Sequence, residues 1–318
     1  MVQSNEPFSK VAVVGAGMVG STFAYALMIN GVARHLALID HDPERAEGEA
    51  MDLEHSLSFL QPVQVEAGGY ELCRNADIVV ITAGAAQKPG ETRLDLTHKN
   101  AEIVKSIIPR ILEHNPAPIL LMVSNPVDVL TYVAVKESGL DPGRVLGSGT
   151  VLDSSRFRHL LSQNCAVDVR NVHAYVIGEH GDSEVMVWSR ANIAGVPMTE
   201  LCPVCTQSCM LGAREGINEQ VRKAAYEIIR RKSATYWAIG LAVTRIVEAI
   251  LKDQDSVLTV SALTDGLYGI RDVCLSLPRV VGGQGVKRGL DVLLDIQEEK
   301  ALVKSGKLIR RHIEAMES

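Results

Sequence analysis

The chain has no excess of positive charge: 32 Lys and Arg stand against 38 Asp and Glu, for a formal net charge of −6. Without a basic run or patch to neutralise several phosphates, nucleic acid is excluded as a partner class, although local cations can still hold one small anion. Long hydrophobic runs are missing as well. Apolar runs such as Ile78 to Ile81 and Pro118 to Val123 have the length of buried strands and fall far short of a bilayer span, so no membrane role is expected. The stretch Met1 to Pro7 lacks a basic region followed by apolar residues, so no secretory signal is read and a cytoplasmic location is expected. Internal repeats, low-complexity tracts and long linkers are also lacking.

Six cysteines occur, at Cys73, Cys165, Cys202, Cys205, Cys209 and Cys274, and the Cys202/Cys205 pair has the spacing of metal and redox sites. A fourth ligand near Cys209 is absent, and a zinc or iron–sulfur site needs four. No metal is therefore expected, and the segment reads as reduced surface cysteines without a role.

What is present is an ordinary globular composition, 47% hydrophobic and 22% charged, over 318 residues. That length exceeds one typical core. The pattern in the first half alternates strands and helices. Strands are expected at Lys10–Val14, His35–Ile39, Val63–Ala67, Ile78–Ala83, Ile119–Ser124 and Val145–Gly147, with helices at Met18–Ile29, Pro43–Leu57, Ala101–Glu113 and Val127–Glu137. Such alternation makes parallel β/α units.

From Val151 the character changes. Helices are expected at Ser154–Gln163, over Ile217–Lys252 with an interruption near Ser233, and at Gln297–Met316; strands are expected at Val172–Ile177, Val257–Ala262 and Asp272–Val281. The fold class is thus α/β, with a doubly wound parallel sheet of Rossmann type in residues 1–149 and an α+β substrate domain in residues 150–318.

Gly15-Ala16-Gly17-Met18-Val19-Gly20 follows a strand and opens a helix, which is the context of a dinucleotide fingerprint. Gly15 makes the tight turn, Gly17 admits a pyrophosphate, and Gly20 lets helix and strand approach. Asp40, at the end of the next strand, accepts from ribose hydroxyls and repels a 2′-phosphate, so NAD is the expected cofactor rather than NADP.

The segment Gly178-Glu179-His180-Gly181-Asp182-Ser183 and the earlier Leu152-Asp153-Ser154-Ser155-Arg156 supply a proton carrier, an orienting carboxylate and a planar cation. A hydride arriving at a carbonyl carbon leaves charge on the oxygen, and His180 is the residue to protonate it. Asp153 would hold its tautomer, and Arg156 would grip a small carboxylate in two bonds. The Gly84–Arg93 loop follows the fourth strand, where it can fold over a substrate, expel water and bring Arg93 to the oxyanion.

Together GAGMVG, AGAAQKPGETRLDL, SNPVDVLTYV, GSGTVLDSSRFR and VHAYVIGEHGDSEV, in this order, resemble NAD-dependent L-lactate dehydrogenases of the bacterial type, within the lactate/malate dehydrogenase family. The resemblance covers about residues 10 to 290. It implies that His180 is the proton donor and acceptor, Asp153 its partner, Arg156 the carboxylate clamp and Arg93 the group that polarises the carbonyl. It also assigns cofactor contacts to Val19, Asp40, Arg45, Tyr70, Gly84, Ala85, Ser106, Val123, Ser124, Asn125 and Ser148. Asn125 would face both nicotinamide and substrate, Asp128 would lie near that end, and Thr235 would close the pocket.

Gln87 stands where oxaloacetate-reducing relatives carry arginine. A neutral amide does not repay the desolvation of a second carboxylate but tolerates a methyl group, so pyruvate and L-lactate are expected over oxaloacetate and malate. Arg158 and His173 match residues that bind fructose 1,6-bisphosphate across a subunit interface, which implies an allosteric homotetramer working in glycolysis and fermentation. The resemblance does not extend to the N-terminal arm of vertebrate relatives, so a tetramer would be expected to rely on other interfaces. Ser233 departs from the family's usual glycine and is expected to stiffen the helical stretch near Thr235. Two other readings are a malate or branched 2-hydroxy acid dehydrogenase, opposed by Gln87, and a catalytically idle NAD-binding scaffold, opposed by the retention of His180, Asp153, Arg156 and Arg93 together.

Overall fold

The structure, a computed structural model, describes residues 9–85, 93–198 and 209–317. The first half runs β1 (Lys10–Val14), α1 (Met18–Ile29), β2 (His35–Ile39), α2 (Pro43–His55), β3 (Gln64–Gly68), β4 (Ile78–Ile81), α3 (Arg93–His114), β5 (Ile119–Met122), α4 (Val127–Ser138) and β6 (Val145–Gly147). The second half opens with α5 (Val151–Cys165). Short strands follow: β7 (Val172–His173), β8 (Val176–Ile177), β9 (Val185–Met186), β10 (Asn192–Ile193) and β11 (Val196–Pro197). Then come α6 (Cys209–Lys232), α7 (Trp237–Leu251), β12 (Ser256–Leu258), β13 (Ser261–Asp265), β14 (Arg271–Ser276), β15 (Arg279–Gly282), β16 (Gly285–Gly289) and α8 (Ile296–Glu317).

Strands β3-β2-β1-β4-β5-β6 pair in parallel, the doubly wound order, with its reversal between β1 and β4. Their apolar runs follow from burial on both faces. Val11 and Val13 pack with α1, α2 and α7, whereas Ala12 and Val14 pack with α3, α4 and α8. The alternation of side chains along a strand divides one sequence between two cores.

The sheet does not stop at residue 150. β13 pairs antiparallel with β6, and β14 with β13, so the last two strands of this eight-stranded sheet come from the second half. A third core, which includes Phe157, Leu161 and Trp188, lies under the short strands; the Phe157 and Trp188 rings meet edge to face at 4.9 Å.

Local chemistry explains the ends of these elements. Asp42 caps α2 by accepting the Arg45 N–H at 3.3 Å, with Pro43 in the first turn where its missing N–H costs nothing. Gly139 ends α4 in the left-handed region at φ 61°.

Three expected strands are each divided in two. Val172–Ile177 becomes β7 and β8, which pair with different partners. Val257–Ala262 and Asp272–Val281 change sheets part-way, the second at Leu277-Pro278, where proline has no N–H for a ladder. Helix α3 begins at Arg93 rather than Ala101. Ser233 lies between α6 and α7 at φ 69° instead of stiffening a helix. Among the described residues no helix is long and apolar enough to cross a membrane.

Candidate active site

The loops after β1 and β4 leave the same edge of the sheet, on either side of the strand-order reversal. Gly15 has φ 110°, and a Cβ there would stand 2.5 Å from the Ala83 nitrogen, so the turn admits no side chain. A Cβ on Gly17 would meet nothing within 4 Å, which leaves open space at the N-terminus of α1. Backbone donors facing such a space suit a pyrophosphate. Asp40 accepts the Ala16 N–H at 2.6 Å and the Asp42 N–H at 3.0 Å, and so fastens the glycine turn to the end of β2.

The remaining expected cofactor residues frame this edge unevenly. Val19 is half-buried in α1, while Val123, Ser124 and Ser148 are buried at the ends of β5 and β6. The Ser124 hydroxyl donates to the Ala83 carbonyl at 2.5 Å, and the Ser148 N–H to the Met122 carbonyl at 2.8 Å. Tyr70 is stacked by Arg110 at 5.2 Å, and Ser106 is exposed one turn earlier on α3. Arg45 is exposed on α2.

One residue that holds this edge together escaped the sequence reading. Asn100 is 2% exposed; its Oδ1 accepts the Ala85 N–H at 2.8 Å, and its Nδ2 donates to the Asn125 carbonyl at 2.8 Å. It ties the Gly84-Ala85 loop to the strand end at Asn125. The available signal was a polar residue beside Ala101 and one turn before Val104, on the buried stripe of an amphipathic helix.

A cavity of about 310 Å³ lies next to Asn125, lined by Asp153, Arg156, Glu184, His180, Arg222 and Tyr226 among others. Asp153 and Arg156 share one face of α5, and the Thr150 hydroxyl fixes the start of that helix by donating to the Val176 carbonyl at 2.5 Å. Asp153 Oδ2 meets His180 Nδ1 at 2.6 Å, and Oδ1 meets Arg156 Nη1 at 2.6 Å. Asp153 is 2% exposed, whereas the His180 side chain is 26% exposed toward the cavity.

Burial alone would drive the His180 imidazole down, but the Asp153 charge and hydrogen bond outweigh it and lift His180 to about 9. The same pair works in reverse on Asp153: burial would raise it, yet His180 and Arg156 hold it below the usual carboxylate range. The site thus carries an ionised aspartate, a protonated histidine with one nitrogen free of that bond, and a guanidinium with donors to spare.

Asp128 lies beneath the cavity at 1% exposure and is absent from its lining. Its Oδ2 accepts the His180 N–H at 2.7 Å and its Oδ1 accepts the Ser261 hydroxyl at 2.6 Å. Both oxygens are occupied by the scaffold.

Thr235 is half-buried between α6 and α7 and does not line the cavity. Arg93 opens α3, and Gln87, Cys202 and Cys205 lie outside the described residues; the side chain of Cys209 does too. Arg158 Nε donates to the carbonyl of Ala174, the residue after His173, at 2.9 Å, and His173 is exposed on β7. Among the described residues, no three His, Cys, Asp or Glu side chains are grouped as metal ligands.

Comparison with known proteins agrees with this arrangement. Residues 9–147 match the lactate/malate dehydrogenase NAD binding domain, and residues 150–318 match the lactate/malate dehydrogenase alpha/beta C-terminal domain. The chain is 52% identical to an L-lactate dehydrogenase of Acetivibrio thermocellus, over 99% of this chain and 100% of the relative. It is 54% identical to an L-lactate dehydrogenase of a Synechococcus species, over 96% and 99%. Among solved structures it is similar to a lactate dehydrogenase enzyme from a Medee basin deep-sea metagenome library, with TM-score 0.95, 45% identity and coverage of 98% and 100%. It is also similar to a minor L-lactate dehydrogenase from Enterococcus mundtii in a ligands-bound form, with TM-score 0.94, 42% identity and coverage of 96% and 98%. A glycine turn shaped for NAD, an aspartate-bound histidine beside a guanidinium, and matches that span both halves place this chain in the lactate/malate dehydrogenase family.

Proposed function

We propose that this chain is an L-lactate dehydrogenase that interconverts pyruvate and L-lactate. The observation that carries the reading is Asp153 bonded at 2.6 Å to both His180 and Arg156 at the wall of one cavity. When bound, NADH supplies the hydride that reaches C2 of pyruvate. Asp153 holds the His180 Nδ1 proton, which leaves Nε2 to give its own proton to the carbonyl oxygen. Arg156 presents its remaining donors to the substrate carboxylate. Arg93, at the start of α3, polarises the carbonyl, and in the reverse direction His180 is the base.

Specificity rests on Gln87, whose neutral amide favours a methyl group over a second carboxylate. Comparison of kcat/KM for pyruvate, oxaloacetate and a branched 2-oxo acid tests this. Pyruvate is expected to lead, and a preference for oxaloacetate overturns the assignment.

The finer reading is a cytoplasmic homotetramer in glycolysis and fermentation, activated by fructose 1,6-bisphosphate. Arg158 and His173 support it as a guanidinium bonded to the carbonyl of Ala174 and an imidazole on the residue before it, nitrogen donors that a two-fold axis would duplicate around two phosphates. Titration with fructose 1,6-bisphosphate is expected to lower the pyruvate KM and favour the tetramer. Unchanged saturation curves and unchanged assembly state refute it.

A further inference from the structure

The cavity beside His180 contains one buried acid that the reaction above does not use. Glu184, just before β9, lines the cavity with Asp153, Arg156 and Arg222 and is 3% exposed. Its backbone is fixed: the N–H donates to the Gly181 carbonyl at 3.2 Å, and the carbonyl accepts from Arg222 Nη2 at 3.3 Å. Its Oε1, shielded from solvent, has no hydrogen-bond partner among the described residues. Asp153, equally buried, has both oxygens bonded to cationic or ring nitrogens. Two buried acids therefore share one cavity, one satisfied and the other not, which separates their charge states.

We propose that Glu184 sets the charge of the carboxylate-binding end of this cavity: uncharged, it leaves Arg156 open to the substrate, and ionised, it competes with the substrate carboxylate. The proposal rests on the assignment of Arg156 as the substrate clamp. Burial first, and the Asp153 charge next, push Glu184 up to about 8 against the pull of His180, Arg156 and Arg222. At neutral pH it is the uncharged form that faces Asp153 and Arg156 from α5, His180 from the loop after β8, and Arg222 from α6. On the rim of the same cavity stand Glu179, Asp182, Tyr226 and His312, with the Tyr226 hydroxyl donating to Asp182 at 3.0 Å. Ionisation of Glu184 adds a buried negative charge where an anionic substrate must enter, and both substrates of the reaction are anions.

The sign of the effect separates Glu184 from His180. Loss of the His180 proton hinders pyruvate reduction and favours lactate oxidation, whereas loss of the Glu184 proton weakens capture of both carboxylates. The test is the KM for pyruvate and for L-lactate between pH about 7 and about 9.5 in wild type, Glu184→Gln and Glu184→Met, with NADH binding followed by fluorescence as the check on folding. Wild type is expected to show a rise in KM common to both substrates, approaching about tenfold per pH unit above the Glu184 titration. Both neutral variants are expected to lose that common rise and keep the opposed His180 limbs. A wild type without the common rise, or a folded neutral variant that keeps it, overturns the proposal. Failure of the functional assignment reads differently: the wild type then turns over neither substrate at any pH, and the proposal falls with it.

Discussion

Asp128 Oδ2 accepts the backbone N–H of His180 at 2.7 Å across 52 residues of chain, so the histidine of the cavity is held from behind by a carboxylate that does not line it. Burial raises Asp128 to about 6 in spite of the Ser261 hydroxyl and the His180 N–H, which favour its ionised form. The folded-state value lies above the ordinary aspartate value near 3.9, so the folded state holds this proton more tightly than the unfolded chain does. Stability from this group is present at low pH and is lost as pH rises through about 6. Asn at this position cannot titrate and can still pair with His180 N–H and Ser261. Asp128→Asn is expected to gain about 2 kcal/mol relative to wild type between pH about 4.5 and about 7.5, read from urea unfolding at both pH values. A wild-type-minus-variant difference that is flat in pH refutes it.

Asp153→Asn removes the anion that does most to lift His180 to about 9 and leaves burial opposed only by the lesser pull of Asp128 and Glu184. In the proposed mechanism pyruvate reduction needs protonated His180, so activity is expected to be full below the folded pKa and to fade as pH rises through it. The alkaline limb of kcat/KM for pyruvate is expected to move at least about one pH unit toward acid in the variant, with a loss of about tenfold or more near pH 8. An unmoved limb would separate the titration from His180.

Asn100→Ala strips the clasp between the Ala85 loop and Asn125, leaving the Ala85 N–H and the Asn125 carbonyl without their partner. A destabilisation of about 1–3 kcal/mol is expected from urea unfolding, with weaker NADH binding in a fluorescence titration. Unaltered NADH affinity would confine Asn100 to a structural role.

Ser233 carries φ 69° at the end of α6, a conformation that favours glycine. Relief of the strain by Ser233→Gly is offset in part by the greater freedom of glycine in the unfolded chain. A net stabilisation of up to about 1 kcal/mol is expected from the urea midpoint at unchanged slope. Destabilisation would show that the serine side chain contributes more than its backbone costs.

Motif order and strand–helix alternation made the parallel half of the sheet legible, because buried strands between polar turns leave a strong local pattern. The His180, Asp153 and Arg156 grouping was legible from chemistry, since the three residue types have one obvious joint use. Asn100 and Glu184 were harder. Each matters through what lies opposite it in space, at Ala85 and Asn125 for one and across the cavity for the other, and local sequence carries no record of such neighbours. The resemblance put Asp128 near the substrate end; in the first turn of α4 its carboxylate turns down toward Ser261. The divided strands failed for a related reason: an apolar run such as Val257–Ala262 looks continuous even where the backbone leaves one sheet for another.

The two strands that β13 and β14 add beside β6 bear on how the chain can be cut. A fragment ending near residue 149 would leave the β6 backbone without β13 as its neighbour, a bare edge ready to pair with another copy. The bridge between Gly178 and Ser276 makes the dependence mutual, because the loop that carries His180 hangs from β14, which reaches the nucleotide-binding sheet through β13. Excising the nucleotide-binding half would therefore yield an adhesive fragment, and the discarded half would lose the support of its histidine.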